Sequence, residues 1–251
     1  MGEKLRGSRA IVLVHGAGHG AWCWEQVVPR LERKGYHVAA LDLPGLGDDP
    51  TPARDATFEL GVARVVDAVR AAPGPVLLLG HSAGGIVISQ AAENAPDSIG
   101  KLVYLAACLP VDGESLRSMI EITNRHPGPS AMGVLRPSDV EGAHGFAEEL
   151  AAETFYNTCD PGAARRAIAR LRPQPDAPLG VPVALSPERF GRVAKSYIVC
   201  ARDQALPPGA QHFMCERMPG VTKHVMDCDH SPFFCAPDGL VEIIDREARG
   251  D

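Results

Sequence analysis

The residue best suited to chemistry in this sequence is Ser82, which lies between small residues in the stretch Gly80-His-Ser-Ala-Gly84. The Gly-x-Ser-x-Gly spacing alone is common by chance, so its context decides. An apolar run, residues 76–79, precedes it, and a helix-forming stretch, residues 85–94, follows it. This order of strand, tight turn and helix is the one in which a strained turn exposes a nucleophilic serine. A glycine-rich turn with a structural serine is the alternative.

A serine hydroxyl is a poor nucleophile at neutral pH, so it needs a base and a carboxylate that orients the base. Where the nucleophile sits on such a turn, the chain order is Ser, acid, His. Asp203 follows an apolar run that ends at Cys200, and His230 follows the last strand-like segment. We therefore predict Ser82, Asp203 and His230 as the catalytic residues, with Asp112 as the alternative acid.

Acyl transfer through a serine also needs backbone amides that stabilise the oxyanion formed during attack. One is expected from Ala83, the residue after the nucleophile. The second is expected from the loop at residues 14–21, Val-His-Gly-Ala-Gly-His-Gly-Ala, whose small residues let amides approach a substrate. The glycine spacing of this loop does not match a dinucleotide-binding fingerprint. We therefore predict no organic cofactor, and the chemistry requires no metal.

The elements that must position these residues are short apolar segments that alternate with stretches of helical spacing. The segments are residues 10–14, 37–41, 75–79, 101–105, 196–200 and, more weakly, 221–226. Continuous apolar strands are typical of a parallel sheet covered on both faces, and alternation with helices predicts right-handed crossovers. Helices are expected around residues 62–69 and at residues 85–94, 209–217 and 237–248.

The alternation stops between about residues 110 and 187, in a stretch rich in proline and glycine. It contains two predicted helices, residues 148–156 and 163–171, and no predicted strand. We expect an α/β core at residues 1–109 and 187–251, with residues 110–186 inserted as a helical cap. Apolar cap residues suit an apolar acyl group or an aromatic ester, or they form the cap's own core. Candidate substrate contacts are His19, Trp22, Phe155 and Tyr156.

Composition and charge limit the classes of binding partner and the cellular compartment that we expect. The net charge of −6 and the lack of a Lys- and Arg-rich run interleaved with aromatics predict no nucleic-acid partner. The charged residues 1–9 and the short apolar run after them match neither a signal peptide nor a membrane span, which predicts a cytoplasmic protein without a membrane partner. Seven cysteines form no Cys-x-x-Cys pair, and we expect reduced core thiols. We expect a small-molecule ester as substrate and a monomer or homodimer.

Several stretches resemble one known family, and the similarity runs over most of the chain. They are Leu13-Val-His-Gly-Ala-Gly-His-Gly-Ala-Trp-Cys-Trp24, residues 38–45, Gly80-His-Ser-Ala-Gly-Gly85 and the pair Asp229-His230. They resemble the α/β-hydrolases that include plant methylesterases, methyl salicylate esterases and hydroxynitrile lyases, with many bacterial relatives. The resemblance implies six parallel strands, a helical cap, and Ala17 with Ala83 as the oxyanion amides.

Two positions bear on the chemistry within this group. Its lyases place a Thr after the His of the first loop and a Lys after the catalytic His, whereas this chain has Gly16 and Ser231. Without that hydroxyl and ammonium, cleavage of a cyanohydrin loses its electrostatic support. The resemblance therefore favours a carboxylesterase that acts through an acyl-serine. A lyase or a cyclase for polyketide-like substrates is the alternative, followed by a ligand-binding module, against which the complete Ser, Asp and His set argues.

Overall fold

The structure is a computed structural model that describes residues 8–250. The charged residues 1–7, on which the localisation prediction partly rests, lie outside the described residues. The strands, in chain order, are β1 Ala10–Val14, β2 His37–Leu41, β3 Val76–His81, β4 Ile99–Leu105, β5 Leu135–Pro137, β6 Ala143–Phe146, β7 Gln174–Pro175, β8 Ala194–Cys200 and β9 Thr222–Met226. The α-helices are α1 Val28–Arg33, α2 Phe58–Ala71, α3 Gly84–Asn94, α4 Leu116–Thr123, α5 Glu148–Phe155, α6 Pro161–Ile168, α7 Pro208–Glu216, α8 Pro232–Cys235 and α9 Pro237–Arg249.

The main sheet has six strands in the order β2-β1-β3-β4-β8-β9, and every neighbouring pair is parallel. This confirms the predicted parallel sheet, with β1 and β2 at their predicted bounds. All strands run the same way, so their carboxyl ends share one edge of the sheet. The loops after β1, β3, β8 and β9 therefore meet at that edge.

The continuous apolar pattern of the strands has a direct structural cause. In β1, Val12 belongs to the same buried cluster as Val65 of α2, while Leu13 belongs to a second cluster with Leu31 of α1 and Ile244 of α9. Alternate side chains of a strand point to opposite faces of the sheet. Both faces are covered by helices, so both sets of side chains are apolar.

The segment between β4 and β8 contains α4, α5 and α6 and a small antiparallel sheet in the order β5-β6-β7. The sequence predicted no strand in this segment, and that prediction was wrong. The three strands have only two to four residues each, and Pro137, Gly145 and Pro175 interrupt any alternating pattern. Such short strands are held by pairing across the sequence, for example Ala143 with Pro175, which no local pattern reveals.

The helices of this segment were predicted in part. Helix α6 begins at Pro161, because proline suits the first helical position. The side chain of the preceding residue, Asp160, caps the helix by accepting a hydrogen bond from the amide of Ala163. Helix α4 was not predicted. Its start is a reciprocal pair of hydrogen bonds between Ser115 and Ser118, with serine where a capping box more often has Glu or Gln. No helix of residues 8–250 combines the length and apolar character of a membrane span.

Candidate active site

Ser82 occupies a strained turn between β3 and α3. Its φ of +52° lies in the left-handed region, which costs a residue other than glycine on the order of 1 kcal/mol. Main-chain hydrogen bonds stabilise this conformation. The Ser82 amide donates to the Leu105 carbonyl at 3.1 Å, and the Ser82 carbonyl accepts from the Cys108 amide at 3.0 Å. The next helix passes close to β1, since a Cβ on Gly84 would lie 2.5 Å from the carbonyl oxygen of His15.

His230 and Asp203 form a buried pair at the same edge of the sheet. The Nδ1 of His230 lies 2.7 Å from Oδ2 of Asp203, and both residues are only 2% exposed. The Asp203 carboxylate also accepts from Nε2 of Gln211 at 3.0 Å and from the amides of Ala205 and Leu206 at 2.8 Å each. These donors stabilise an ionised carboxylate. The carboxylate in turn requires the proton of His230 to be on Nδ1.

Asp112, the alternative acid, lies elsewhere. Its side chain is exposed, and Oδ1 accepts from the amide of Leu185 at 2.7 Å. His230 pairs with Asp203 and not with Asp112, so the geometry favours the first of the two predicted acids.

Ser82 and His230 line one cavity. Because Asp203 takes Nδ1 of His230, Nε2 is left to receive the proton of the hydroxyl. Within residues 8–250, neither Nε2 nor the Ser82 hydroxyl makes a hydrogen bond to another residue. A serine hydroxyl turns about a single bond, and catalytic hydrogen bonds often close only when substrate is bound.

The two predicted oxyanion amides lie at the same place. Ala17 and Ala83 line the cavity with Ser82, and neither of their amides donates to another of the described residues. The loop after β1 lies against Ser82, since a Cβ on Gly16 would be 2.7 Å from the Ser82 Cβ. With this backbone, a side chain at position 16 would force the loop or Ser82 to shift. Two unpaired amides beside a nucleophile are the arrangement that binds a developing oxyanion.

Two buried histidines fix the shape of the loop after β1. His15 donates from Nδ1 to the Gly16 carbonyl at 2.8 Å and accepts at Nε2 from the Leu43 amide at 3.0 Å. His19 donates from Nδ1 to the Ala17 carbonyl at 2.8 Å, and its Nε2 accepts from the Tyr156 hydroxyl at 2.8 Å. Burial lowers the pKa of His15 to about 4 and that of His19 to about 3. Both rings are therefore neutral at pH 7, as this pattern of one donor and one acceptor requires.

His81 was not predicted from the sequence, and it contacts the main chain of His230, the predicted base. Its Nε2 donates to the main-chain carbonyl of His230 at 2.9 Å, and the two ring centroids are 4.6 Å apart. Burial lowers the pKa of His81 well below its ordinary value, so this ring is also neutral. The motif Gly-x-Ser-x-Gly allows any residue before the serine, so it does not predict this contact. The contact depends on where β9 ends and the loop with His230 begins.

Gln174 was also missed. Its Oε1 accepts from the amide of Gly18 at 3.1 Å, and the residue lines the cavity. The neighbouring Arg172 amide donates to the Gly18 carbonyl at 2.9 Å. The end of the inserted segment thus holds the loop that carries Ala17. The stretch Leu171-Arg-Pro-Gln-Pro175, where that segment returns to the core, was the available signal.

The structure separates the four candidate substrate contacts into two pairs. His19 and Phe155 line the cavity wall. Trp22 and Tyr156 lie behind them among the described residues: the Trp22 ring stacks on His19 at 5.3 Å between centroids, and the Tyr156 hydroxyl bonds to the same ring. These two residues contact His19 and do not line the cavity.

The cavity has a volume of about 450 Å³, within the range of small-molecule sites. Apolar side chains from the inserted segment form much of its wall, namely Leu116, Ile120, Met132, Leu135, Phe146, Phe155 and Leu179. Polar groups on the wall from the same segment include Arg117, Glu121, Asn124, His144 and Gln174. Met119 of α4 does not line the cavity and belongs to the buried core. The apolar residues of the inserted segment thus form both cavity wall and buried core, and Leu116 and Phe155 belong to both.

Comparison with known proteins agrees with this architecture. A model of the alpha/beta hydrolase family matches residues 11–243. Among curated proteins, the probable esterase PIR7A of Oryza sativa subspecies indica is 32% identical over 256 residues, which cover 96% of this chain and 97% of that protein.

Solved structures give the same result. The crystal structure of a pyrethroid hydrolase from Sphingobium faniae JZ-2 is similar with a TM-score of 0.84 and 29% identity, covering 96% of this chain and 97% of that one. The methylesterase MES16 from Arabidopsis, at 24% identity and a TM-score of 0.77, covers 94% of this chain and 97% of its own and shares the fold. The resemblance seen in the sequence motifs is confirmed, and the chain belongs to the alpha/beta hydrolase family.

Proposed function

We propose that the protein is a carboxylesterase that cleaves a small apolar or aromatic ester through an acyl intermediate on Ser82. The observation that carries the proposal is the convergence of a strained serine, a buried His230–Asp203 pair and two unpaired amides on one cavity. The esterase and hydrolase names of the relatives support the same chemistry.

The first half of the reaction forms the acyl-enzyme. As the Ser82 oxygen attacks the ester carbonyl carbon, its proton passes to Nε2 of His230. Asp203 stabilises the resulting imidazolium, and the carbonyl oxygen, now an anion, accepts hydrogen bonds from the amides of Ala17 and Ala83. The intermediate collapses when the bond to the alcohol oxygen breaks, and His230 gives its proton to the leaving alcohol.

The second half releases the acid. A water molecule attacks the acyl-serine carbonyl carbon while His230 removes one of its protons. The same two amides stabilise the second oxyanion, and the Ser82 oxygen leaves with the proton from His230. The protein's own residues supply every proton transfer in this scheme.

The cavity wall supports the proposed substrate class. Its inserted-segment side is built from aliphatic and aromatic side chains, which favour an apolar acyl or aryl group over a charged one. Polar and charged side chains also line the wall, and among them the amides of Asn124 and Gln174 suit orientation of the ester.

Labelling with a fluorophosphonate and hydrolysis of a panel of phenyl and alkyl esters test the proposal. We expect one phosphonyl group on Ser82 and turnover of the apolar esters, both lost in Ser82→Ala. Ser130→Ala is the matched control, because Ser130 lines the same cavity without lying on a strained turn, and it should keep the label. Labelling of Ser82 without turnover of any ester would favour the lyase or cyclase alternative, and the absence of both would favour a binding module.

We also propose a cytoplasmic monomer or homodimer that requires no cofactor for hydrolysis. All seven cysteines are free thiols, which suits a reducing compartment. Localisation of a tagged chain and native mass spectrometry test these two points.

A further inference from the structure

Beside the loop that carries the catalytic base lies a group of three side chains, Cys159, Asp229 and Cys235, which we call the thiol–carboxylate cluster. Its ligand atoms all lie within 4.8 Å of one another. The Cys159 thiol donates to Oδ2 of Asp229 at 3.3 Å, and the Cys235 thiol donates to Oδ1 at 3.2 Å. Two thiols thus point at the two oxygens of one carboxylate. Neither thiol has a role in the proposed hydrolysis.

The carboxylate of Asp229 is fully buried, and no Lys, Arg or His of residues 8–250 forms an ion pair with it. Its oxygens also accept from the amides of Thr158 at 2.7 Å and Ser231 at 2.9 Å. A buried carboxylate without a cation partner is unfavourable, because burial removes the water that would solvate its charge. The site therefore has negative or acidic ligands and lacks a positive charge.

We propose that Cys159, Cys235 and Asp229 form a binding site for one zinc ion. Two sulfur ligands and one carboxylate oxygen belong to the ligand set that zinc prefers, and three protein ligands leave a fourth position for water. On binding, the two thiol protons are released and the sulfurs take their place on the metal. The carboxylate keeps its two amide donors.

The distances fit this exchange. Tetrahedral zinc with sulfur at about 2.3 Å places two sulfur ligands about 3.8 Å apart. The two sulfur atoms lie within 4.8 Å of each other, so small rotations of the cysteine side chains would bring them to that separation. Cys159 and Cys235 are both partly exposed, so an ion can enter from solvent. The thiol of Cys228 donates to Cys200 at 3.6 Å, and Cys228 is not among the three residues whose ligand atoms all lie within 4.8 Å of one another.

The ion would join two parts of the fold. Cys159 lies between α5 and α6 of the inserted segment, whereas Cys235 ends α8 and Asp229 directly precedes His230. The sequence predicted no metal here, because the three ligands are separated by 70 and 6 residues and form no recognisable spacing motif. This inference does not depend on the proposed esterase activity.

Titration of the reduced, chelator-treated protein with zinc and with cadmium tests the proposal. Wild type should bind one zinc and show the ultraviolet thiolate-to-cadmium charge-transfer band. Cys159→Ser and Cys235→Ser keep a hydroxyl that can donate to Asp229, but each removes one sulfur ligand. They should bind at least about tenfold more weakly. Cys215→Ser, at a buried cysteine of α7, is the matched control and should bind like wild type.

A measurement on the wild-type protein alone tests the zinc site even if a variant does not fold. Alkylation followed by peptide mass spectrometry should show that zinc protects Cys159 and Cys235 and leaves the labelling of the other cysteines unchanged. Equal zinc binding by all four proteins, no binding by folded wild type, or protection of other thiols would overturn the proposal. So would a Cys159–Cys235 disulfide that forms in air in a protein that binds no zinc after reduction.

Discussion

Replacing Asp203 with Asn tests the acid of the site with little change in shape. Asp203 accepts four hydrogen bonds, from His230, Gln211 and the amides of Ala205 and Leu206. The amide oxygen of Asn can still accept from the two main-chain donors. Its NH₂ group then faces Nε2 of Gln211 and Nδ1 of His230, and both of these are donors in the native protein.

The tautomer of His230 decides the size of the effect. To accept from the new NH₂ group, Nδ1 must lose its proton, which moves to Nε2, the atom that must receive the proton of Ser82. The base is then blocked. A change of this type in a Ser-His-Asp triad lowers kcat by about 10⁴-fold, which corresponds to about 5 kcal/mol of transition-state stabilisation. The unmatched Gln211 donor should lower the free energy of unfolding by about 1–3 kcal/mol.

Steady-state hydrolysis of a phenyl ester, with thermal unfolding measured in parallel, separates these effects. Asp112→Asn is the matched control, because it makes the same chemical change at the exposed alternative acid, and it should keep wild-type kcat. The reasoning is refuted if folded Asp203→Asn retains kcat within about tenfold of wild type. It is refuted equally if Asp112→Asn causes the loss.

Three further predictions concern the supporting residues. Gly16→Ala places a Cβ 2.7 Å from the Ser82 Cβ, so kcat should fall at least about tenfold; wild-type rates in an ester assay would contradict the close approach. His81→Phe keeps the ring but removes the hydrogen bond to the His230 carbonyl, so kcat should fall more than KM rises; a change in KM alone would argue against positioning of the base. The pKa of His15 is lowered from 6.5 to about 4, so the unfolded chain binds more protons below pH 6.5. Unfolding free energy should therefore fall between pH 6.5 and 4, by on the order of 3 kcal/mol from His15, and a flat profile in denaturant titrations would contradict its neutral burial.

The sheet and the proposed catalytic residues were accessible from the sequence for physical reasons. Strands buried on both faces must be continuously apolar, and β1 and β2 appear at their predicted bounds. A parallel sheet brings its loops to one edge, so chain order allowed Asp203 or Asp112 as the acid, and the structure pairs Asp203 with His230. The strained turn at Ser82 required small neighbours, which the motif displays.

The inserted segment was less accessible, because its structure depends on contacts between distant residues. The small β5-β6-β7 sheet pairs residues 143 and 175, and the cavity wall draws on several parts of the segment. The positions of Trp22 and Tyr156 behind His19 follow from how that segment packs on the core. His81 and the thiol–carboxylate cluster likewise depend on which residues β9 delivers to the site. No local pattern encodes these contacts.

The acyl-serine intermediate is the central claim, and rapid-quench mass spectrometry of the enzyme during turnover of a p-nitrophenyl ester tests it most directly. Acid quenching within the first turnover should trap the acyl group on the peptide that contains Ser82, and the acyl-enzyme should disappear as substrate is exhausted. Continued ester hydrolysis with no acyl group on Ser82, or with the group on another residue such as Cys108 of the same cavity, would contradict the mechanism.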